Sequence, residues 1–349
     1  MKKYRSFILV MLLLIAAGCY LVWESAPSSP ADPEAPLSAV FLDVGQGDSA
    51  LVGCQGHWML IDGGGRESSQ KIYAALKSRN ITHLDLVIAS HPHEDHIGGL
   101  SAAFQRCTAD TVLSPTVSDA SQSFQNLCRY AGTVTVPSAG DRYALGDAAV
   151  EILGLNAGPT ENAASIVAKL TYGNVSFLFT GDMESEFFAP QWDLSATVLK
   201  VSHHGSSNGT DRSLLERVSP RYAVISLSGD NPYGFPHSSV LNLLGESCKA
   251  VYRTDLQGDI LFTTDGQTLS VSTQKQASSR EIFTPGDGQA QANTLSAALH
   301  YILNTNSRVF HLPTCPSVSA MKEGNKMDTE QSREALIAEG FKPCGNCKP

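Results

Sequence analysis

A chain of 349 residues, 42% hydrophobic and 17% charged, has the length for about two domains and enough apolar side chains for a good core. Its formal net charge of -9 excludes a global basic field of the kind that attracts nucleic acid, although bound divalent metal would reverse the sign locally. Eight scattered cysteines exclude a dense disulfide scaffold.

At the amino end, Lys2, Lys3 and Arg5 precede an apolar run from Phe7 to Ala17, and Tyr20-Leu21-Val22-Trp23 continues it beyond Gly18-Cys19. Two readings of residues 1–24 stay open. One is a cleaved lipoprotein signal with Cys19 as lipid acceptor. The other is an uncleaved signal-anchor of roughly 18 apolar residues, long enough to cross a bilayer. Both keep the basic end inside and put the rest outside, tethered to the cell membrane. Residues 25–36, rich in Pro, Ser and Ala, read as an extended tether.

A folded domain spans residues 37–273. Strands are expected over Ala39–Val44, Ser49–Val52 and Trp58–Ile61, and an amphipathic helix over Ser68–Arg79. The run Leu84–Ala89 reads as a buried strand, and Ile97–Arg106 as a helix. Between them, Ser90-His91-Pro92-His93-Glu94-Asp95-His96-Ile97-Gly98-Gly99 packs three imidazoles and two carboxylates into six positions. Short strands follow near Val112, Val134 and Val150. Val167–Tyr172 and Val175–Phe179 form a hairpin around Gly173-Asn174. Val198–Val201 and Arg221–Ser226 are further strands, Ser238–Leu244 a helix, and Ile260–Val271 a closing hairpin. The class is α/β, with too many short strands for one parallel sheet and a better fit to two sheets flanked by helices. Residues 274–294 read as a Gln/Ser/Ala/Gly-rich linker, and residues 295–349 as a small second module.

Neutral imidazole plus carboxylate is the ligand set of zinc and similar divalent ions. His91 and His93 suit one ion, and Asp95 and His96 a second. Two ions about 3.5–4 Å apart need a shared anionic ligand. Asp182, at the end of an apolar strand in Thr180-Gly181-Asp182, can bridge or can merely cap a short helix. His203-His204-Gly205-Ser206 follows another strand, and His237 precedes a helix that it either serves catalytically or caps. Asp43, Asp48 and Asp62 read as partners of the histidines or as turn formers.

The pattern His91-x-His93-x-Asp95-His96 resembles the signature of the metallo-β-lactamase superfamily. The chain looks more closely like the metallo-β-lactamase-like domain of the ComEC family of competence DNA-uptake proteins. The matching segments are Phe41–Ser49, Leu60–Gly64, Ser90–Gly99, Phe177–Asp182, Val198–Ser206 and Asn231–Gly234. The resemblance implies an αββα sandwich with two divalent ions, Zn or Mn, between the sheet edges. It makes His91, His93, Asp95 and His96 ligands, Asp182 the bridge, and His203 or His204 the completion of the second site. It implies a phosphodiesterase or nuclease that acts on DNA through metal-activated hydroxide. Asp95 or Asp182 would orient that hydroxide, and His237 or the non-ligating member of His203/His204 would protonate the leaving group. The chain departs from the family twice. Asn162 stands where a further histidine ligand falls, and Tyr233-Gly234-Phe235-Pro236-His237 stands where many relatives carry Tyr-Gly-His-Pro. The alternatives are a hydrolase of a small ester, lactone or β-lactam, and a non-catalytic binder of nucleic acid or cell wall with a degenerate metal site.

In the second module, His311, Cys315, Cys344 and Cys347 can make one tetrahedral zinc site. A module of about 50 residues has too small a core to stand easily without such a staple. The stretch resembles the zinc-binding part of the Ada repair protein. A Cys344–Cys347 disulfide or free thiols remain the other readings. Cys54, Cys107, Cys128 and Cys248 read as core residues or one incidental disulfide.

Overall fold

A computed structural model describes residues 35–286, 301–311, 315–329, 336 and 340–344. The segment 1–24, nearly all of the 25–36 tether and Cys347 lie outside the described residues. The chain divides into two compact units. One holds the described residues up to Asn231 and from Phe235 to Pro285; the other holds Pro232–Gly234 and those from Gly286 on.

Among the described residues, fourteen strands build the first unit: β1 (Leu37–Phe41), β2 (Ala50–Cys54), β3 (His57–Ile61), β4 (His83–Ile88), β5 (Thr108–Leu113), β6 (Arg142–Leu145), β7 (Ala148–Gly154), β8 (Val167–Tyr172), β9 (Val175–Phe179), β10 (Val198–Lys200), β11 (Tyr222–Ile225), β12 (Ala250–Arg253), β13 (Ile260–Thr264) and β14 (Leu269–Thr273). They form two mixed seven-stranded sheets, in the orders β14-β13-β1-β2-β3-β4-β5 and β12-β11-β10-β9-β8-β7-β6. Side-chain alternation sorts each strand between two cores. On β1, Leu37, Ala39 and Phe41 face the layer between the sheets, while Val40 joins the layer under the helices of the first sheet. On β9, Val175, Phe177 and Phe179 face inward and Leu178 outward. Both faces are covered, so the strands read as nearly unbroken apolar runs. Phe41, Phe177, Phe179 and Phe262 meet in the inter-sheet layer at ring separations of 5.8–5.9 Å. Each such buried side chain contributes about 1.5–3 kcal/mol.

Helix Ser69–Ser78 lays Ile72, Ala75 and Leu76 on the outer face of the first sheet, and helix Ser238–Ser247 lays Val240, Leu241 and Leu244 on that of the second. The result is the expected αββα sandwich. Strands β3, β4 and β5 run parallel, as do β9 to β12, so each group ends along one sheet edge. That edge, beyond the carboxyl ends of parallel strands, is where α/β folds place ligands.

Three local expectations differ from the structure. The helix expected over Ile97–Arg106 is instead an α-turn at Glu94–Ile97 and a 3-10 segment at Leu100–Gln105, split at Gly98-Gly99. Near Val134 only an isolated bridge pairs Thr135 with Leu113. The first part of the presumed linker is folded onto the first unit. Helix Ser279–Ile282 carries a Ser278/Glu281 capping box, and the Arg253 guanidinium donates to the carbonyls of Ile282 and Thr284. Cys54, Cys107, Cys128 and Cys248 are unbridged, which removes the incidental disulfide. Among the described residues, no helix is long and apolar enough to cross a membrane.

The second unit has a four-stranded sheet in the order β17-β15-β16-β18, from β15 (Tyr301–Asn304), β16 (Val309–His311), β17 (Lys326–Thr329) and β18 (Lys342–Pro343). Among the described residues its apolar cluster comprises Tyr301, Leu303, Phe310 and Leu336, with Phe341 against it.

Candidate metal centre

The centre forms where strands of both sheets end. Past β4 the chain runs through Ser90 to His91 and His93, then turns into Glu94–Ile97 with Asp95 and His96. Asp182 follows β9, and His203 and His204 follow β10. His203, His204 and Gly205 are successive left-handed residues, at φ 49°, 53° and 85°. Histidine tolerates this region better than most residues, yet it still stores strain of about 1–3 kcal/mol per residue. The turn sends the His204 ring into the centre and leaves His203 nearer the surface. Backbone bonds lace the loops together, from Asp48 N to Asp95 O (3.1 Å) and from Gly63 N to His96 O (2.7 Å).

One oxygen, Asp182 Oδ2, unites the donors. It lies 3.3 Å from His96 Nε2, 3.4 Å from His204 Nε2 and 3.9 Å from both His91 Nε2 and His203 Nε2. The donor atoms of His91, His93 and Asp182 fall within 4.8 Å of one another, as do those of Asp95, His96, Asp182 and His204. Asp182 therefore belongs to two adjoining donor sets.

The far side of each ring is tied down, which fixes the tautomer. His96 Nδ1–H donates to Asp62 Oδ2 (2.9 Å) and His204 Nδ1–H to the Ser226 carbonyl (2.9 Å). Asp62 is itself held by the Ser90 amide and hydroxyl. His93 turns Nε2 to Glu161 (2.7 Å) and Nδ1 to His91 Nε2 (2.9 Å). His96 Nε2, His204 Nε2 and Asp182 Oδ1 are left buried with no hydrogen-bond partner. Buried donor atoms crowded round a carboxylate with no hydrogen-bond partner are costly unless a proton or a metal ion binds them. The residues present fit divalent ions.

The electrostatics agree. Burial pushes the Asp182 carboxyl up, but the His204 and His96 imidazoles outweigh it and hold the group well below the usual carboxylate range. Burial pulls His96 and His204 down, and the surrounding carboxylates, Asp182 first, raise both well above the ordinary imidazole value. His91 is held well below that value by burial and by the His96 charge. Asp48 and Asp62 face the Nδ1 side of His96 as a further acidic group. That group already has its cation, because buried Lys200 places Nζ 2.7 Å from Asp48 Oδ2.

The model of the metallo-beta-lactamase superfamily matches residues 42–229. The chain belongs to this superfamily. Three similar curated proteins are ComE operon protein 3 of Bacillus subtilis (29% identical over 63% of this chain), Recombination protein 2 of Haemophilus influenzae (31% over 63%) and Competence protein ComA of Neisseria gonorrhoeae (28% over 66%). The match spans 32%, 28% and 33% of their respective lengths. Among solved structures, the metallo-beta-lactamase fold protein YhfI of Bacillus subtilis is 16% identical, over 68% of this chain and 100% of that one, with a TM-score of 0.44.

Within this metallo-beta-lactamase domain, His91, His93, Asp95, His96, Asp182 and His204 are brought together as donors. Asp182 does not cap the following 3-10 segment, whose N-cap is Glu184. His203 stays at the rim, its Nδ1 3.1 Å from Asn208 Oδ1. His237 is not in either donor set. Its Nδ1 accepts from the Ser207 amide (3.0 Å), and its ring packs on Phe235, whose ring in turn meets His203 and His204. It occupies the N-cap position of helix Ser238–Ser247, with no side-chain capping bond. Asn162 opens a 3-10 turn, its Oδ1 buried and without a hydrogen-bond partner. Sequence reasoning missed Lys200, Ser226 and Glu161. Lys200 leaves a signal, a lone charge inside the apolar run Val198–Val201; the other two leave none. In the second unit, His311, Cys315 and Cys344 are buried with donor atoms within 4.8 Å of one another, and His311 Nδ1 has no hydrogen-bond partner. This group fits a structural metal.

Proposed function

We propose that the protein is an exported, membrane-tethered, metal-dependent phosphodiesterase that cleaves DNA outside the cell membrane. One observation carries the hydrolase reading: Asp182 Oδ2 stands within reach of two imidazole sets from different strand ends. The relation to proteins named for competence and recombination supports DNA as substrate. The basic flank and apolar run at Lys2–Trp23 support the tether.

His91 Nε2, His93 Nδ1 and Asp182 would hold one ion; Asp95, His96 Nε2, His204 Nε2 and Asp182 a second. When bound, such ions supply Lewis acidity at a phosphoryl oxygen and make water a nucleophile near neutral pH. His91, His96, His204 and Asp182 are sealed from solvent, whereas the Asp95 and His93 side chains are 33% and 37% exposed. Substrate and water therefore approach past Asp95 and His93. Asp95 is held far below the usual carboxylate range, because the neighbouring His204 imidazole, 3.3 Å away, and the charge of His96 outweigh burial. It stays ionised and orients water by accepting its proton in a hydrogen bond. His203, at the rim of the centre, is the imidazole that in its protonated form would pass a proton to the leaving oxygen, and His237 stands one ring farther out. In the second unit, Cys347 follows Cys344 at the spacing of a zinc ribbon, and zinc is the ion proposed there.

The test is cleavage of single-stranded DNA by the chain with manganese or zinc. Activity is expected, with loss to background in Asp182→Asn and Asp95→Ala and fewer ions retained by Asp182→Asn. Hydrolysis of a chromogenic cephalosporin without DNA cleavage would replace the substrate assignment. DNA retention without cleavage would replace the catalytic one.

A further inference from the structure

The amino-terminal ends of parallel strands β3, β4 and β5 lie at the sheet edge opposite the metal centre, and they carry a second set of donors. His83 and Asp85 sit two residues apart on β4, and Thr108 and Asp110 two apart on β5, with His83 in register with Thr108. The twofold period of a strand puts these four side chains on one face. The donor atoms of His83, Asp85 and Asp110 lie within 4.8 Å of one another, and His83 Nε2 is 3.1 Å from Asp110 Oδ2.

Partners outside the trio orient two of its members. His83 Nδ1 is 2.8 Å from Thr108 Oγ1, which leaves Nε2 turned toward the carboxylates. Asp85 Oδ1 is 2.6 Å from His57 Nδ1, and Asp85 Oδ2 accepts the Trp58 amide at 2.8 Å. Each carboxylate oxygen has a second lone pair to offer. Burial pushes Asp85 up, but the His57 and Trp58 hydrogen bonds outweigh it and hold the group below its ordinary value. Ligands held in place by an outer set of hydrogen bonds are what a metal site requires. One imidazole and two carboxylates carry a double negative charge with mixed N and O donors, which suits a borderline dication. The side chains of His83 and Asp110 are 45% and 68% exposed, so an ion there meets solvent and exchanges readily.

We propose that His83, Asp85 and Asp110 form an exchangeable binding site for a borderline divalent cation such as zinc, separate from the centre at Asp182. The bland reading of the same geometry is a pair of His–Asp contacts that fasten strand ends. The two readings differ in ion count. The full chain is stripped with a chelator, returned to micromolar free zinc, and its bound metal counted by mass spectrometry. His83→Ala and Asp110→Asn are each expected to lower the count by one ion per chain, with DNA cleavage unchanged within about twofold. In an Asp182→Asn background the same ion is expected to remain until His83 is replaced, which separates this site from the hydrolase centre. Equal ion counts in the parent and both surface variants would overturn the proposal and leave only the strand-fastening contacts.

Discussion

Lys200 is 3% exposed on a strand whose other members are apolar, and its ammonium is spent on Asp48 (2.7 Å) and the Val201 carbonyl (2.8 Å). Replacing it by Met leaves Asp48 buried with only the His204 and His96 imidazoles to balance its charge. Breaking a buried pair from one side costs about 3–5 kcal/mol. Lys200→Met is therefore expected to lose that much in denaturant unfolding of the metal-free chain; a loss under about 1 kcal/mol would show that Asp48 simply takes up a proton. The titration of the centre follows from its shifts. His96 and His204 have raised folded values, so their contribution is complete below the ordinary imidazole value and is lost as pH rises through the raised one. Asp182 is depressed, so its contribution is present above the ordinary carboxylate value and is lost as pH falls through the depressed one. The metal-free chain should thus be most stable in mildly acidic solution and should soften on the alkaline side, as read by melting temperature against pH. Metal must displace the imidazolium protons, so zinc affinity should rise with pH and titrations in different buffers should reveal proton release. A zinc affinity flat from pH 6 to 8 would contradict this account. At this scale the sequence was legible wherever ligand types crowd, at His91–His96. It was silent on Glu161, because a surface carboxylate says nothing of a histidine that the fold brings beside it.

At the scale of elements, the centre depends on loops that approach one another without side chains between them. A Cβ on Gly47 would sit 2.0 Å from the Asp95 carbonyl oxygen, at a φ of +130° that L side chains rarely adopt. A Cβ on Gly99 would sit 2.2 Å from the Gly63 carbonyl. Gly47→Ala must push the Asp95 turn away and break the bond from Asp48 N. A displacement near 1 Å costs on the order of 10²-fold in rate. Gly47→Ala is expected to lose about that much DNA cleavage while keeping its far-ultraviolet circular dichroism; wild-type rates would show that the Asp95 loop adapts. Strands were legible because β-branched and apolar runs between glycine-rich turns leave few choices. The 3-10 segment after Gly98-Gly99 was not, since its course follows from packing against the 62–65 loop. The helix at Ser279–Ile282 was hidden in polar composition, and the Arg253 guanidinium that holds it lies far away in sequence.

For the molecule as a whole, the αββα class could be argued from element order and from likeness to known sequences. Which strands share a sheet could not be read from local pattern, because β1 pairs with β13 across more than two hundred residues. The donors divide along the same seam. His91, His93, Asp95 and His96 issue from the first sheet, while Asp182 and His204 issue from the second. A cation gripped by both groups is a rivet through two plates. The plates cannot slide or part without shearing it, so collapse of the loaded sandwich must expel the cation, and the ambient supply of metal sets how much more heat the loaded protein withstands than the metal-free chain.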